Sequence, residues 1–174
     1  MSKVPANRPQ MTREQAEKII AFKKIDREKY PVVVVAVRGY YRDSMGVKGV
    51  NDRGIYDDAA AVCTPTLFTT VNWNTDPSTY RKGSGTGSEK GMAMLDEGEW
   101  LYRIGKHKGR GPAGVQAGPV IVLRDGTKGS YPDKGWFGIN HHWGSATGTS
   151  SAGCQTAPPE QWKSYINPIV AELE

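Results

Sequence analysis

The distribution of glycine is the feature that most constrains the fold of this chain. Of its 174 residues, 21 are glycines, and most of them lie between apolar runs. Glycine is unfavourable inside helices and common in turns, so this distribution favours a β-rich fold with many turns over a helical bundle. The length suits one domain, residues 1–174, with a hydrophobic core of its own.

Two segments near the ends of the chain predict helices. Thr12 and Gln15 form a capping-box pattern, and the apolar stripe after them predicts a helix that ends before Pro31. This helix belongs to a basic N-terminal segment, residues 1–30. Pro158 and the proline after it predict the start of a last helix. The apolar residues of that helix are Trp162, Tyr165 and Ile169.

Several segments between the helices predict strands. Residues 32–37 are a β-branched run typical of a strand that is buried on both faces. Residues 59–71 also resemble a strand, although Pro65 indicates an edge or a bulge. Residues 74–91 are typical of turns, and the glycine tract within them, residues 83–88, predicts a mobile surface loop. Further strands are predicted at 99–104, 119–124 and 136–141. The predicted fold class is therefore mainly β and mostly antiparallel, with flanking α-helices near both termini.

The charge pattern indicates a basic surface. The formal net charge is +5, and residues 106–110 add a short basic cluster. Such a surface suits a polyanionic partner, although a solvated face explains it as well. The longest apolar run, residues 31–37, is too short for a membrane span, and the first ten residues predict no signal peptide. We therefore expect synthesis in the cytoplasm and another release route for any role outside it.

Residues 138–154 contain the groups needed for nucleophilic catalysis. His141 and His142 lie on or just past a predicted strand, and a loop of small residues connects them to Cys154. A thiol with a pKa of about 8.5 is mostly protonated at neutral pH, and an adjacent imidazole can accept its proton. Neighbouring strand residues face opposite ways, so at most one of the two histidines should reach the thiol. Gly153 permits a sharp turn, which could direct its amide at a developing oxyanion.

This stretch resembles the catalytic motif of the L,D-transpeptidase (YkuD-like) family, which is a His before a Gly, a spacer, and Ser/Thr-His-Gly-Cys. The matching pieces are His142-Trp143-Gly144 and Ser151-Ala152-Gly153-Cys154. The resemblance implies a β-sandwich-like catalytic domain that acts on peptidoglycan stem peptides without a cofactor or metal. In such a domain Cys154 would form the acyl-enzyme and His142 would be the general base. The amides of Gly153 and Cys154 would hold the oxyanion.

The sequence also departs from the family pattern. Ala152 stands where the family has its motif histidine, and Gln155-Thr156 replaces an apolar residue followed by Arg or Asn, which often orients the donor peptide. A diverged motif in a basic chain looks similar to those of phage wall-degrading enzymes, or endolysins. Hydrolysis of the acyl-enzyme by water is therefore favoured over transfer to an amine. The candidate substrate-binding residues are Ser151, Trp143, Gln155 and Arg38.

Two other classes of function remain open. The histidines and cysteines could supply zinc ligands, although adjacent histidines seldom bind one ion. A non-catalytic module could instead use the basic N-terminal face to bind nucleic acid or the cell wall. Nucleic acid is the less expected partner, because no recognition helix or stacking platform is evident. Cys63 is predicted to be a core residue, and the oligomeric state is left open. The possible zinc ligands are Cys63, His107, His141, His142 and Cys154.

Overall fold

The secondary structure consists mainly of strands in a computed structural model that describes residues 2–86 and 89–174. Within these residues there are ten strands, two α-helices and one short 3-10 helix. The strands are β1 Val33–Val37, β2 Asp58–Cys63, β3 Phe68–Trp73, β4 Ala93–Leu95, β5 Tyr102–His107, β6 Arg110–Gln116, β7 Val120–Arg124, β8 Tyr131–Gly135, β9 His141–Trp143 and β10 Gln155–Ala157. The helices are α1 Arg13–Phe22, the 3-10 helix Pro159–Gln161 and α2 Trp162–Leu173.

The described strands form three sheets. The first has the order β1-β2-β3, the second β10-β9-β6-β5, and the third β4-β7-β8. All pairings between these strands are antiparallel except the pairing of β9 with β10, which is parallel. The prediction of a mainly β, mostly antiparallel fold with a helix near each end is therefore confirmed.

The first sheet differs from its prediction in two ways. Residues 32–37 were expected to form a strand buried on both faces, and this expectation is wrong. Within β1 only Val35 is buried, and Ala36, which points to the opposite face, is exposed. Val33, Val35 and Val37 pack in the cluster that contains α1, while Val34 is only half-buried against the cluster under α2, so the run reflects β-propensity rather than full burial. Residues 59–71 contain two strands, because Pro65 lies in the turn between β2 and β3.

The N-terminal helix begins as predicted but is shorter. The Thr12 side chain accepts a hydrogen bond from the Gln15 amide, and the Gln15 side chain accepts one from the Thr12 amide. The helix ends at Phe22, well before Pro31, and the Phe22 side chain is 81% exposed. Ile20, in contrast, packs on the first sheet beside Cys63, which is buried as predicted. The capping box therefore sets the start of the helix, while tertiary packing covers only one side of it.

The C-terminal helix covers the largest core cluster. Trp162 and Tyr165 are buried and pack with Trp73 of the first sheet. Burying an apolar side chain of this size stabilises the fold by roughly 1.5 to 3 kcal/mol. The prediction of a last helix that carries these aromatic residues is confirmed.

Residues 87 and 88, which belong to the predicted surface loop at 83–88, lie outside the described residues. None of the described helices has the length and apolar character that crossing a membrane requires.

Candidate active site

The parallel pairing of β9 with β10 brings the histidine and cysteine segments together. Thr156 lies opposite His142 in this pair. Just before it, the Gln155 N–H donates to the carbonyl oxygen of Asn140 at 2.9 Å, so Cys154 lies at the start of β10 beside the start of β9. The Cys154 Sγ and one ring nitrogen each of His142 and His107 lie within 4.8 Å of one another. The loop of small residues therefore brings the Cys154 thiol close to the His142 imidazole, as its position in the sequence predicts.

His141 and His142 face opposite sides of β9. His141 is buried, with its Nδ1 2.6 Å from the Tyr165 Oη and its ring stacked on Tyr102. His142 is half-buried and lies on the side of Cys154. The structure therefore places His142, and not His141, beside the thiol.

The hydrogen bonding of His142 leaves one ring nitrogen free to act as a base. Its Nδ1 lies 2.7 Å from the carbonyl oxygen of Trp143. A carbonyl oxygen only accepts, so Nδ1 carries the hydrogen and Nε2 carries the lone pair. Burial lowers the pKa of His142, the charge of Lys108 lowers it further, and the bond to Trp143 opposes both. The ring is therefore neutral near pH 7 and can accept a proton at Nε2.

The Cys154 side chain is a protonated thiol at rest. Its Sγ donates to the Gly138 carbonyl oxygen at 3.3 Å and accepts from the Asn140 N–H at 3.5 Å. Burial raises its pKa, while the N–H groups of Asn140 and of Cys154 itself and the charge of Lys108 act against this rise. With a neutral thiol beside a neutral imidazole, a nucleophilic attack by Cys154 would move the proton during the attack and not before it.

Ser151 holds the turn that precedes Cys154. Its Oγ donates to the Cys154 carbonyl oxygen at 2.5 Å and accepts from the Gly153 N–H at 3.0 Å. Gly153 has a φ of +151°, and a Cβ there would lie 2.6 Å from the Ala93 carbonyl oxygen. Ser151, a predicted substrate-binding residue, is thus buried and stabilises the turn. The Gly153 amide, an expected oxyanion donor, binds Ser151 instead.

Two other predicted substrate-binding residues pack inside the protein. Gln155 is buried, and its Oε1 accepts from the Trp73 Nε1 at 2.9 Å. Trp143 is half-buried, and its ring lies 6.0 Å from that of Trp162. Both side chains therefore join the strands of the site to the core under α2.

Arg38 lies in a separate polar network. Its Nε donates to the Thr75 Oγ1 at 2.8 Å, and an Nη donates to the Leu95 carbonyl oxygen at 2.7 Å. It also forms an ion pair with the buried Asp76 at 3.3 Å. Within the described part of the chain, Arg38 makes no hydrogen bond to the Cys154 side chain, so the structure does not bring this predicted residue to the site.

The hydroxyl group of Tyr56 holds the loop between β9 and Cys154. The buried Tyr56 Oη donates to the Ser145 carbonyl oxygen at 2.8 Å and lies 3.2 Å from that of Gly148. A Cβ on Gly144 would lie 2.2 Å from this Oη, so only glycine fits there without a shift. The Gly of the sequence motif therefore allows the loop to close over Tyr56.

His107 is the site residue that the motif did not reveal. It ends β5, and its ring stacks on that of His142 with centroids 4.1 Å apart and planes 10° apart. Burial lowers its pKa to about 4, and the charges of His142 and Lys108 add to this. In the sequence it stands far from residues 138–154, inside the basic cluster at 106–110, and only its residue type marked it as a possible ligand.

The two cysteines should differ strongly in reactivity. We expect iodoacetamide to label Cys154 much faster than Cys63 in the folded protein, because Cys63 is fully buried and burial raises its pKa to about 11. The raised pKa of Cys154 also predicts a labelling rate that keeps rising as the pH increases above neutrality. Peptide mapping after brief alkylation at several pH values measures both. Equal labelling of the two thiols would contradict the assignment of the nucleophile.

Comparison of the chain with known protein families, with curated proteins and with solved structures found no match. The geometry of the site and the motif in the sequence are therefore the observations that bear on the function.

Proposed function

We propose that the protein is a cysteine-dependent, L,D-transpeptidase-like enzyme that cleaves peptide bonds in peptidoglycan stem peptides through a thioacyl-enzyme. The observation that supports this most is the placement of Cys154 beside a His142 ring whose Nε2 is free to accept a proton. Both residues belong to the segment that resembles the family motif. The mainly β fold is compatible with the β-sandwich-like domain that the resemblance implies.

The proposed reaction has two steps. In the first, the Cys154 Sγ attacks the carbonyl carbon of the scissile amide while its proton moves to the His142 Nε2. The carbon–nitrogen bond then breaks, the leaving amine takes the proton from His142, and a thioester remains. In the second step water attacks the thioester while His142 accepts a proton from the water, and the carbon–sulfur bond then breaks as the Cys154 sulfur takes that proton from His142, which restores the thiol and the neutral imidazole.

The charge around the site supports an anionic substrate. The turn between β5 and β6 carries Lys108, whose positive charge acts on both Cys154 and His142. Lys106 and Arg110 are exposed on the same hairpin. A bacterial wall is anionic overall, and stem peptides carry carboxylates, so this hairpin would attract them by a field that salt weakens.

Water is the proposed acceptor, as in phage wall-degrading enzymes acting at the bacterial cell wall. Ala152, which stands where the family has a histidine, is exposed directly before the Gly153-Cys154 pair. Its small side chain leaves space for water next to the thioester. Transfer to an amine is the other possible outcome of the same intermediate.

Digestion of purified sacculi tests the proposal. Wild-type protein and Cys154→Ala are incubated with intact sacculi, and the released fragments are analysed by mass. We expect new free amino groups with the wild type and none with the variant. New cross-links, or exchange of an added D-amino acid into the stem, would mean transpeptidation. If neither appears and no thioester forms with any stem peptide, the proposal fails.

A metal-binding protein is the second candidate, because two imidazoles and a thiol within 4.8 Å are a ligand set that suits zinc. Metal analysis of the purified protein tests it. Stoichiometric zinc that is lost in Cys154→Ala would favour this candidate over the acyl-transfer enzyme. A third possibility, the basic binding module, requires salt-dependent binding to DNA or sacculi that survives the same substitution.

A further inference from the structure

We propose that His107 is a third catalytic residue, which donates an N–H to the oxygen of the reacting carbonyl, and that Asn140 selects the tautomer required for this. The inference rests on the proposed acyl-transfer function. His107 lies outside the sequence motif, and the hydrogen bonds around it determine its tautomer.

The hydrogen bonds of Asn140 determine which way its amide points. The backbone N–H of Gln116 lies 3.1 Å from the Asn140 Oδ1. A backbone N–H only donates, so the atom facing it must be the amide oxygen. The Asn140 Nδ2 therefore faces the other way, where it lies 3.2 Å from the His107 Nδ1.

The same contacts determine the tautomer of His107. An amide NH₂ group only donates, so the His107 Nδ1 must accept and carry the lone pair. In a neutral imidazole the hydrogen then lies on Nε2. Burial lowers the pKa of His107 to about 4, which keeps the ring neutral near pH 7. His107 therefore offers a hydrogen-bond donor at its second nitrogen.

The two stacked histidines therefore carry their hydrogen on opposite ring nitrogens. His142 donates from Nδ1 to Trp143 and has its lone pair on Nε2, whereas His107 accepts at Nδ1 and has its hydrogen on Nε2. Both rings bring a nitrogen within 4.8 Å of the Cys154 Sγ. One ring can accept the thiol proton while the other stabilises the charge that appears on the carbonyl oxygen.

An acyl group on the Cys154 Sγ would have its oxygen close to the sulfur. Donors to such an oxygen act at about 2.7 to 3.1 Å, and His107 brings a ring nitrogen within 4.8 Å of this sulfur. The Gly153 amide does not serve as this donor, because it already binds the Ser151 Oγ. His107 therefore supplies a donor that the turn before the nucleophile does not.

The hydrogen bonds also explain how the site would avoid binding zinc. A histidine that binds a metal normally donates its other N–H to an acceptor, as His142 does to the Trp143 carbonyl. His107 has no such acceptor at Nδ1, since it faces the NH₂ group of Asn140. Zinc binding at its Nε2 would require Asn140 to turn over and give up its bond to Gln116.

Substitution of His107 tests the catalytic role. We expect His107→Leu to slow acyl-enzyme formation with stem-peptide fragments by about a hundredfold to a thousandfold, as loss of an oxyanion donor does. His107→Gln retains an N–H and should recover part of the rate. Alkylation of Cys154 by iodoacetamide, which forms no oxyanion, should change only a few-fold in either variant. Wild-type acylation in His107→Leu, or an equal loss of alkylation, would overturn the proposal.

A second experiment tests the tautomer without any enzyme activity. The ¹⁵N chemical shifts of the imidazoles in the wild type should show His107 unprotonated at Nδ1 and protonated at Nε2. Asn140→Asp replaces the amide donor with a carboxylate acceptor, so the hydrogen should move to Nδ1. The affinity of this variant for Zn²⁺ alone should then rise about tenfold to a hundredfold, because the ring gains the second-shell acceptor of a metal ligand.

The two experiments separate the possible failures. If the wild type acylates no stem peptide, the proposed function fails, but the NMR and zinc measurements still decide the tautomer. A wild-type His107 protonated at Nδ1, or an Asn140→Asp variant with unchanged zinc affinity, would overturn the role of Asn140. Thermal unfolding of each variant provides the check that the fold is retained.

Discussion

Replacing His142 with alanine is expected to slow acyl-enzyme formation by about a hundredfold to ten-thousandfold, the usual contribution of a general base. The resting thiol is protonated and its pKa is raised by burial, so few thiolates exist at neutral pH without a base. A ring nitrogen of His142 lies within 4.8 Å of the Cys154 Sγ, and the lone pair that can take this proton is on Nε2. Single-turnover acylation by stem-peptide fragments and the alkylation rate of Cys154 both measure the loss.

The matched control changes the neighbouring histidine, which faces the core. His141 contacts the Tyr165 Oη, so we replace both partners together, as His141→Phe with Tyr165→Phe, which keeps the aromatic packing and leaves neither partner of this hydrogen bond unpaired. This double variant should retain acylation and alkylation rates within a few-fold of wild type. A loss in the control as large as in His142→Ala would mean that the thiol depends on the packing of β9 and not on the base.

The parts of the site that the sequence predicts are those set by local geometry. Alternation along a strand separates His141 from His142, and the glycines of the loop permit the return to Cys154. The capping box of α1 and the start of the last helix are local signals of the same kind. They are readable because each depends on residues that are close in sequence.

The parts that the sequence does not predict depend on contacts between distant elements. His107 reaches the site only because β6 pairs with both β5 and β9 in one sheet. Ser151 and Gln155 are close to Cys154 in sequence, yet both side chains are buried. Ser151 hydrogen-bonds within the turn before Cys154, and Gln155 hydrogen-bonds to Trp73. Proximity in sequence thus suggested substrate contacts where packing decides otherwise. The prediction that β1 is buried on both faces fails for the same reason, because its valines show β-propensity but not which elements cover the strand.

The buried His141 should make the protein lose stability in mild acid. Burial lowers its pKa to about 3, with the charge of His142 as a smaller cause, whereas an unfolded histidine titrates at about 6.5. As the pH falls below about 6.5, the unfolded chain therefore binds a proton that the folded protein does not. The free energy of unfolding then falls by up to about 1.4 kcal/mol per pH unit until the folded pKa is reached.

The double variant His141→Phe with Tyr165→Phe isolates this contribution. From about pH 7.5 to about pH 4.5, wild type should lose about 2.5 kcal/mol more stability than the variant. His107, with a pKa lowered to about 4, destabilises both proteins in acid, and the raised pKa values of Asp57 and Asp58, about 6 and about 7, act in the opposite direction. These groups are common to both proteins, so their effects cancel in the difference. Urea unfolding at each pH measures it, and parallel pH profiles would show that His141 is protonated in the fold or exchanges with solvent.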